Sequence, residues 1–353
     1  MAPVEKEIFI KMGNGYSIGN YEFRLEDFFP KDIFEEITEL RVNDNKTIEK
    51  EAKLRIRRKR ITTDGKLTVL ACDHPARNVV KSGDDSVRMG DRYQYLGRIL
   101  RVITSPEFDG VMGTTDIIED LLIVNHIMKK RGLKGFLDNK VILGCMNRGG
   151  LSGARFEMDD TMTSWTPASI YDSRLDGAKI MVRIDLTNEG SAKTIYYCAQ
   201  TINELNRLDI PVFLEPLPIE EGTNKVKKNP DDLIKVIGIA SALGDSSKGL
   251  WLKVPYCEDY PRVVKATTMP LLMLGGESTG DPTGIIGQFC KGMHAGANVR
   301  GALVGRNVHF PGKDDPLAVA LAVVNVVHKG YSEEEAVKCL MENRDRDMDR
   351  LKK

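Results

Sequence analysis

The chain has 353 residues, with 51 Lys+Arg against 51 Asp+Glu and a formal net charge of zero. That balance excludes a broad electrostatic footprint for nucleic acid or an anionic membrane. No stretch approaches the ~18 apolar residues of a membrane span, and the N-terminus MAPVEKEIFIKMG mixes charges into its apolar residues, so neither a membrane segment nor a signal-peptide core is expected.

Residues 1–65 read as an N-terminal helical extension, highly charged and carrying aromatic anchors at Tyr21, Phe23, Phe28, Phe29 and Phe34. One helical pattern runs from Lys31 to Leu40 and a second, charged one from Thr47 to Lys59. The basic run KLRIRRKR, Lys53 to Arg60, reads as a solvated helix face; without an aromatic platform it is not a nucleic-acid site.

Residues 66–353 alternate strand and helix. The strands are LTVLAC (Leu67 to Cys72), DGVMG (Asp109 to Gly113), KVILGC (Lys140 to Cys145), GAKIMVR (Gly177 to Arg183), IPVFLE (Ile210 to Glu215), GLWLKV (Gly249 to Val254), PLLML (Pro270 to Leu274) and VRGALV (Val299 to Val304). Helical periodicity marks Asp116 to Lys129, Ser191 to Asn206, Asp231 to Ala242, Asp259 to Thr268 and Pro282 to Ala295. Helices over Pro316 to His328 and Ser332 to Asn343 follow, the latter opened by a capping-box pattern from Ser332 to Glu335.

Repeated strand and helix mean parallel pairing, and eight strands match a (β/α)8 barrel. The first strand runs into CDHPARN, which cannot form the Gly-rich turn of a dinucleotide fold. The six cysteines, Cys72, Cys145, Cys198, Cys257, Cys290 and Cys339, show no CxxC spacing and read as free thiols of a cytoplasmic protein.

In such a barrel the chemistry sits at the carboxyl ends of the strands. Strand one ends in Asp73 and His74, and strand four carries Lys179 and Arg183 and ends in Asp185. Strand five ends in Glu215, and strand six carries Lys253, a charged amine in an otherwise apolar run. After strand seven come Gly275, Gly276 and Glu277; after strand eight come Gly305, Arg306 and Asn307.

Glycines let backbone N–H groups approach phosphate oxygens, and arginine adds a charge-assisted fork, so Gly275, Gly276, Gly305 and Arg306 read as a phosphate site. A lysine flanked by a carboxylate, an aspartate and a second lysine is the inventory of Schiff-base chemistry. Lys253 would be the nucleophile, its pKa lowered by burial and by Lys179. Glu215 would shuttle the proton that carbinolamine dehydration requires, and Asp73 or Glu215 would take the hydroxyl proton next to the scissile bond. Arg183 is a candidate for a substrate carboxylate. The long segment from Asn147 to Ser169, with Arg148, Arg155 and Trp165, reads as a lid over the mouth.

From Leu67 to Phe310 these motifs resemble class I, Schiff-base-forming aldolases of the DeoC/LacD type. The FLE of the fifth strand and the Lys-Val of the sixth look most like tagatose-bisphosphate and sulfofructose-phosphate aldolases. The Asp-His after strand one, the K-x-x-Y of strand six, the Gly-Gly of strand seven and the G-R-N of strand eight are shared with archaeal-type fructose-bisphosphate aldolases. Those carry a tyrosine on strand five where this chain has Glu215, so the proton transfer follows the tagatose type. The resemblance implies Lys253 as Schiff-base lysine, Glu215 as acid and base, Lys179 and Asp73 as their partners, and a phosphate-binding role for the strand-seven and strand-eight loops beside His74. It also implies a homo-oligomer.

The substrate is expected to be a phosphorylated keto sugar or keto sugar acid cleaved to dihydroxyacetone phosphate. Candidates are 5-dehydro-2-deoxy-phosphogluconate and a ketose bisphosphate. No cofactor is called for. The five histidines, His74, His126, His294, His309 and His328, have no metal-ligand spacing, which weighs against a metal-dependent aldolase or isomerase. A non-catalytic sugar-phosphate-binding barrel stays open as the other alternative.

Overall fold

The computed structural model describes residues 15–148 and 151–352. The signal-peptide reading of residues 1–14 lies outside them, as do Gly149 and Gly150 of the long loop.

Eight strands close into one parallel barrel in sequence order: β1 (Leu67–Cys72), β2 (Gly110–Gly113), β3 (Val141–Cys145), β4 (Gly177–Ile184), β5 (Val212–Pro218), β6 (Leu250–Pro255), β7 (Leu271–Leu274) and β8 (Val299–Val304). The chain is a (β/α)8 barrel. The boundaries drift most at β5, expected from Ile210 to Glu215 and found two to three residues later. The seam pairs Leu67 with Gly301, where a Cβ would stand 2.0 Å from the Leu67 carbonyl oxygen on a backbone at φ +132°, so only glycine lets β8 and β1 meet there.

Outside lie α1 (Lys31–Asn43), α2 (Lys46–Leu54), α3 (Arg92–Ile103), α4 (Thr115–Lys130), α5 (Pro167–Asp172) and α6 (Glu189–Arg207). They are followed by α7 (Pro230–Ser241), α8 (Tyr260–Val264), α9 (Thr283–Met293), α10 (Arg306–His309), α11 (Pro316–Val324) and α12 (Glu333–Glu342). The caps are local: Asn188 and Asn229 accept from the first turns of α6 and α7, and the capping box of Ser332 and Glu335 opens α12. None of the described helices is long and apolar enough to cross a membrane.

Several helical readings change. Helices α3 and α5 were not expected. Helix α8 stops at Val264 because Asn298 Nδ2 donates to the Val264 and Thr267 carbonyls at 2.9 Å each, satisfying groups that a longer helix would have used. The helix expected from Pro316 to His328 is α11 followed by a π turn over Asn325–Lys329.

The basic run is not a solvated helix face. Helix α2 ends at Leu54, and Arg55, fully buried, turns under the barrel to pair with Asp176 Oδ2 at 3.0 Å and to donate to the Lys140 carbonyl at 2.9 Å. Arg57 takes the other Asp176 oxygen at 2.9 Å, and Arg58 pairs with Asp109 at 2.8 Å. Asp109 and Asp176 immediately precede β2 and β4, so the run clamps the amino-terminal floor of the barrel. Above it, Phe23, Phe28 and Phe29 are buried, and Arg101 on α3 forks onto Asp315 at 2.9 and 2.7 Å. Asp176→Ala would leave Arg55 buried without a counter-charge and is expected to cost about 3–5 kcal/mol, read as a fall in the denaturation midpoint. A loss below about 1 kcal/mol, the scale of an exposed pair, would show that water replaces the carboxylate.

Candidate active site

Barrel strands present alternate side chains to the interior. In the lower layers these are apolar, with Val69, Leu143, Phe213, Leu272 and Leu303 in one cluster. Two residues further along, the same alternation turns Ala71 into Asp73 and Phe213 into Glu215, and it brings in Lys179 and Lys253. The four charged groups expected from β1, β4, β5 and β6 meet in the barrel, all buried.

Glu215 Oε2 lies 3.0 Å from Lys253 Nζ and 3.0 Å from Lys179 Nζ. Lys179 Nζ lies 3.3 Å from Asp73 Oδ2, and Arg77 Nη1 approaches that oxygen at 3.8 Å. The result is a row of alternating charge from Lys253 through Glu215, Lys179 and Asp73 to Arg77. Cys145 Sγ also faces Asp73 Oδ2, at 3.5 Å.

The two lysines are tuned apart. Burial lowers the Lys253 pKa, Glu215 opposes that, and the Lys179 charge adds to it, leaving the ammonium below its usual value. Burial acts on Lys179 too, but Glu215 and Asp73 together outweigh it and hold its proton more tightly than usual. Burial would raise the carboxyl of Glu215; Lys179, Lys253 and Arg77 overcome it and hold the group at about 2. Against the same burial, Lys179 and Arg77 keep Asp73 well below the carboxylate range. Lys179 is therefore a fixed cation and Lys253 the amine that gives up a proton more easily.

At the mouth, Asn307 Nδ2 donates to the Gly275 and Gly276 carbonyls, at 2.5 and 3.3 Å, and Arg306 Nη1 to Glu277 Oε1 at 3.2 Å. A Cβ at Gly305 would come within 2.6 Å of the His74 ring, so His74 lies directly against that loop. Its Nδ1 is 3.5 Å from the Tyr95 hydroxyl, and its ring meets His309 edge-on at 5.4 Å. Burial keeps His74 neutral, so it offers a hydrogen bond to an anion but no charge. Asp185 is a turn residue, accepting from Thr187 N and Oγ1 at 2.9 and 2.8 Å.

The lid reading of the long loop is corrected at Trp165. Its indole is buried against Gly144 and donates to the Gly113 carbonyl at 3.2 Å, which fastens residues 163–166 to β2 and β3. Arg155 is exposed and Arg148 half-buried. The loop instead contributes a buried carboxylate, Glu157, in direct ion contact with Arg183. Sequence reasoning missed Arg77, Glu157 and Cys145. Arg77 had a signal in CDHPARN, four residues after Asp73; Glu157 had none.

A cavity of about 720 Å³ opens on the opposite, amino-terminal face, lined by Arg58, Asp109, His328 and Arg346 among others. Its charges neutralise one another, as in Arg58 with Asp109 at 2.8 Å and Arg346 with Glu107 at 2.7 Å. The buried lysines and their shared carboxylate lie at the other end.

A family model described as Cgl0159-like matches residues 65–326. The crystal structure of Cgl0159 from Corynebacterium glutamicum is 35% identical, with a TM-score of 0.78, covering 86% of this chain and 99% of that one. The chain belongs to the Cgl0159-like family. A fructose-bisphosphate aldolase from Slackia heliotrinireducens aligns with this Cgl0159-like protein at 16% identity and a TM-score of 0.60, covering 92% of this chain and 97% of that one. A Schiff-base-forming fructose-1,6-bisphosphate aldolase aligns at 20% identity and a TM-score of 0.51, covering 80% and 100%. At these identities the likeness is one of fold alone, the (β/α)8 barrel. A search of curated proteins gave no match.

Proposed function

We infer that this protein is a class I aldolase of the DeoC/LacD type. It forms a Schiff base between Lys253 and a phosphorylated keto sugar or keto sugar acid and releases dihydroxyacetone phosphate. The observation that carries the reading is the single carboxylate oxygen of Glu215 held 3.0 Å from both Lys253 Nζ and Lys179 Nζ.

The chemistry follows from that placement. Glu215 takes a proton from the Lys253 ammonium to which it is hydrogen-bonded, and the neutral amine attacks the ketone carbon. Glu215 returns the proton to the carbinolamine hydroxyl, which leaves as water, and the iminium keeps one positive charge in place of the ammonium. Lys179, which stays charged, returns Glu215 and Asp73 to their ionised forms after each proton transfer. Asp73 or Glu215 removes the hydroxyl proton next to the scissile bond. The iminium accepts the electrons of the breaking C–C bond, giving an enamine that is then protonated and hydrolysed. Gly275, Gly276, Gly305 and Arg306 hold the phosphate, with His74 adding a neutral donor.

Incubation with dihydroxyacetone phosphate and borohydride, followed by peptide mapping, is expected to yield one adduct, on Lys253. Because burial and Lys179 lower the pKa of this amine, the trapping rate should climb with pH and level off below the 10.5 of an ordinary lysine. Absence of an adduct with any carbonyl compound would overturn the reading. An adduct only with other ketones would keep the lysine and discard the substrate class.

A further inference from the structure

Three arginines stand at the barrel mouth, and each has a buried Nε without a hydrogen-bond partner: Arg77, Arg183 and Arg306. Arg306 belongs to the phosphate loops. Arg183 lies across from them, on β4, two inward positions beyond Lys179. Arg77 Nη1 lies 3.8 Å from Asp73, and Asp73 and Glu215 both meet Lys179 on the strand that carries Arg183, so these groups belong to one charged region.

The partner of Arg183 is supplied by the chain itself. Glu157 Oε1 touches Arg183 Nη1, and Glu157 Oε2 accepts from Gly153 N at 3.0 Å. The segment around Glu157 is pinned to α6: Asp160 N donates to Thr194 Oγ1 at 2.9 Å, Thr194 Oγ1 to the Met158 carbonyl at 2.7 Å, and Lys193 pairs with Asp159 at 2.8 Å. The backbone is therefore anchored, and the Glu157 carboxylate is the group that an incoming anion would have to displace from Arg183. Even with this pair made, Arg183 and Arg77 each retain a buried Nε donor without a hydrogen-bond partner.

We propose that Arg183, with Arg77 beside it, is the subsite for a second anionic group of the substrate, and that Glu157 occupies it until that group displaces it. The group is a carboxylate or a phosphate at the end remote from the phosphate held by the β7 and β8 loops. This rests on the Schiff-base reading and restricts it to doubly anionic substrates.

The test is aldol condensation of dihydroxyacetone phosphate with three acceptors: glyceraldehyde, glyceraldehyde 3-phosphate and 4-oxobutanoate. A charged hydrogen-bonded pair favours one of the two anionic aldehydes over glyceraldehyde by roughly ten- to a hundredfold in kcat/KM. Which aldehyde wins tells phosphate from carboxylate. Arg183→Gln should erase that preference, and Glu157→Gln should strengthen it by lowering KM for the charged acceptor. Equal losses for all acceptors in both variants, or no preference in the wild type, would overturn the proposal. Calorimetric titration with inorganic phosphate separates it from the Schiff-base reading. Two ions per wild-type chain and one per R183Q chain support the subsite even where borohydride traps no adduct. Identical stoichiometry in both rejects it even where the adduct forms.

Discussion

Lys253→Met abolishes the borohydride adduct and lowers turnover by at least on the order of 10⁴-fold, the scale on which loss of a covalent nucleophile is felt. The substitution is chosen so that the folded protein survives it. Glu215 keeps Lys179 at 3.0 Å, so no carboxylate is left unpaired, and the methionine fills the volume of the lysine stem. The melting temperature should therefore stay close to that of the wild type while chemistry vanishes. Turnover that persists in K253M would remove the Schiff base from the mechanism, whatever the fold resembles.

Glu215→Gln has the second largest effect, and it separates two roles that one carboxylate performs. Without its charge, Lys179 retains Asp73 at 3.3 Å, but Lys253 loses the carboxylate to which it is hydrogen-bonded. An ammonium in that buried position becomes costlier, so the apparent pKa of adduct formation should move down, not up. Dehydration of the carbinolamine loses its proton donor at the same time, and turnover should fall about 10²- to 10⁴-fold. The expected signature is slower trapping with a midpoint at lower pH. A midpoint that rises would mean that Glu215 does not set the charge state of Lys253. Unchanged turnover would assign the proton shuttle to another group.

Much of this site was legible because buried parallel strands are short apolar runs, and a charge inside one is conspicuous. Lys179, Glu215 and Lys253 announced themselves in that way, and Asp73 by its place one residue past the first strand. Helix α3 was missed for the converse reason: its inward face carries Arg98 and Arg101, both buried, which disguises an apolar stripe. Only the fold reveals that Arg101 is neutralised by Asp315, more than two hundred residues away. The basic run was misread on the same principle. Arginines that look solvated in sequence are paired, and Arg55 is buried, once Asp109 and Asp176 come beneath them. Glu157 could not have been singled out, because its significance lies in meeting Arg183 across an irregular loop.

The clamp under the barrel bears on where this protein may be cut. The family match starts at residue 65, downstream of Arg55, Arg57 and Arg58, yet those three side chains neutralise carboxylates within the matched region. Homology thus draws its border through an electrostatic joint. A fragment made to that border would carry Asp176 into the fold stripped of both cations that it meets in the intact chain, and its behaviour would report on the missing arm as much as on the barrel.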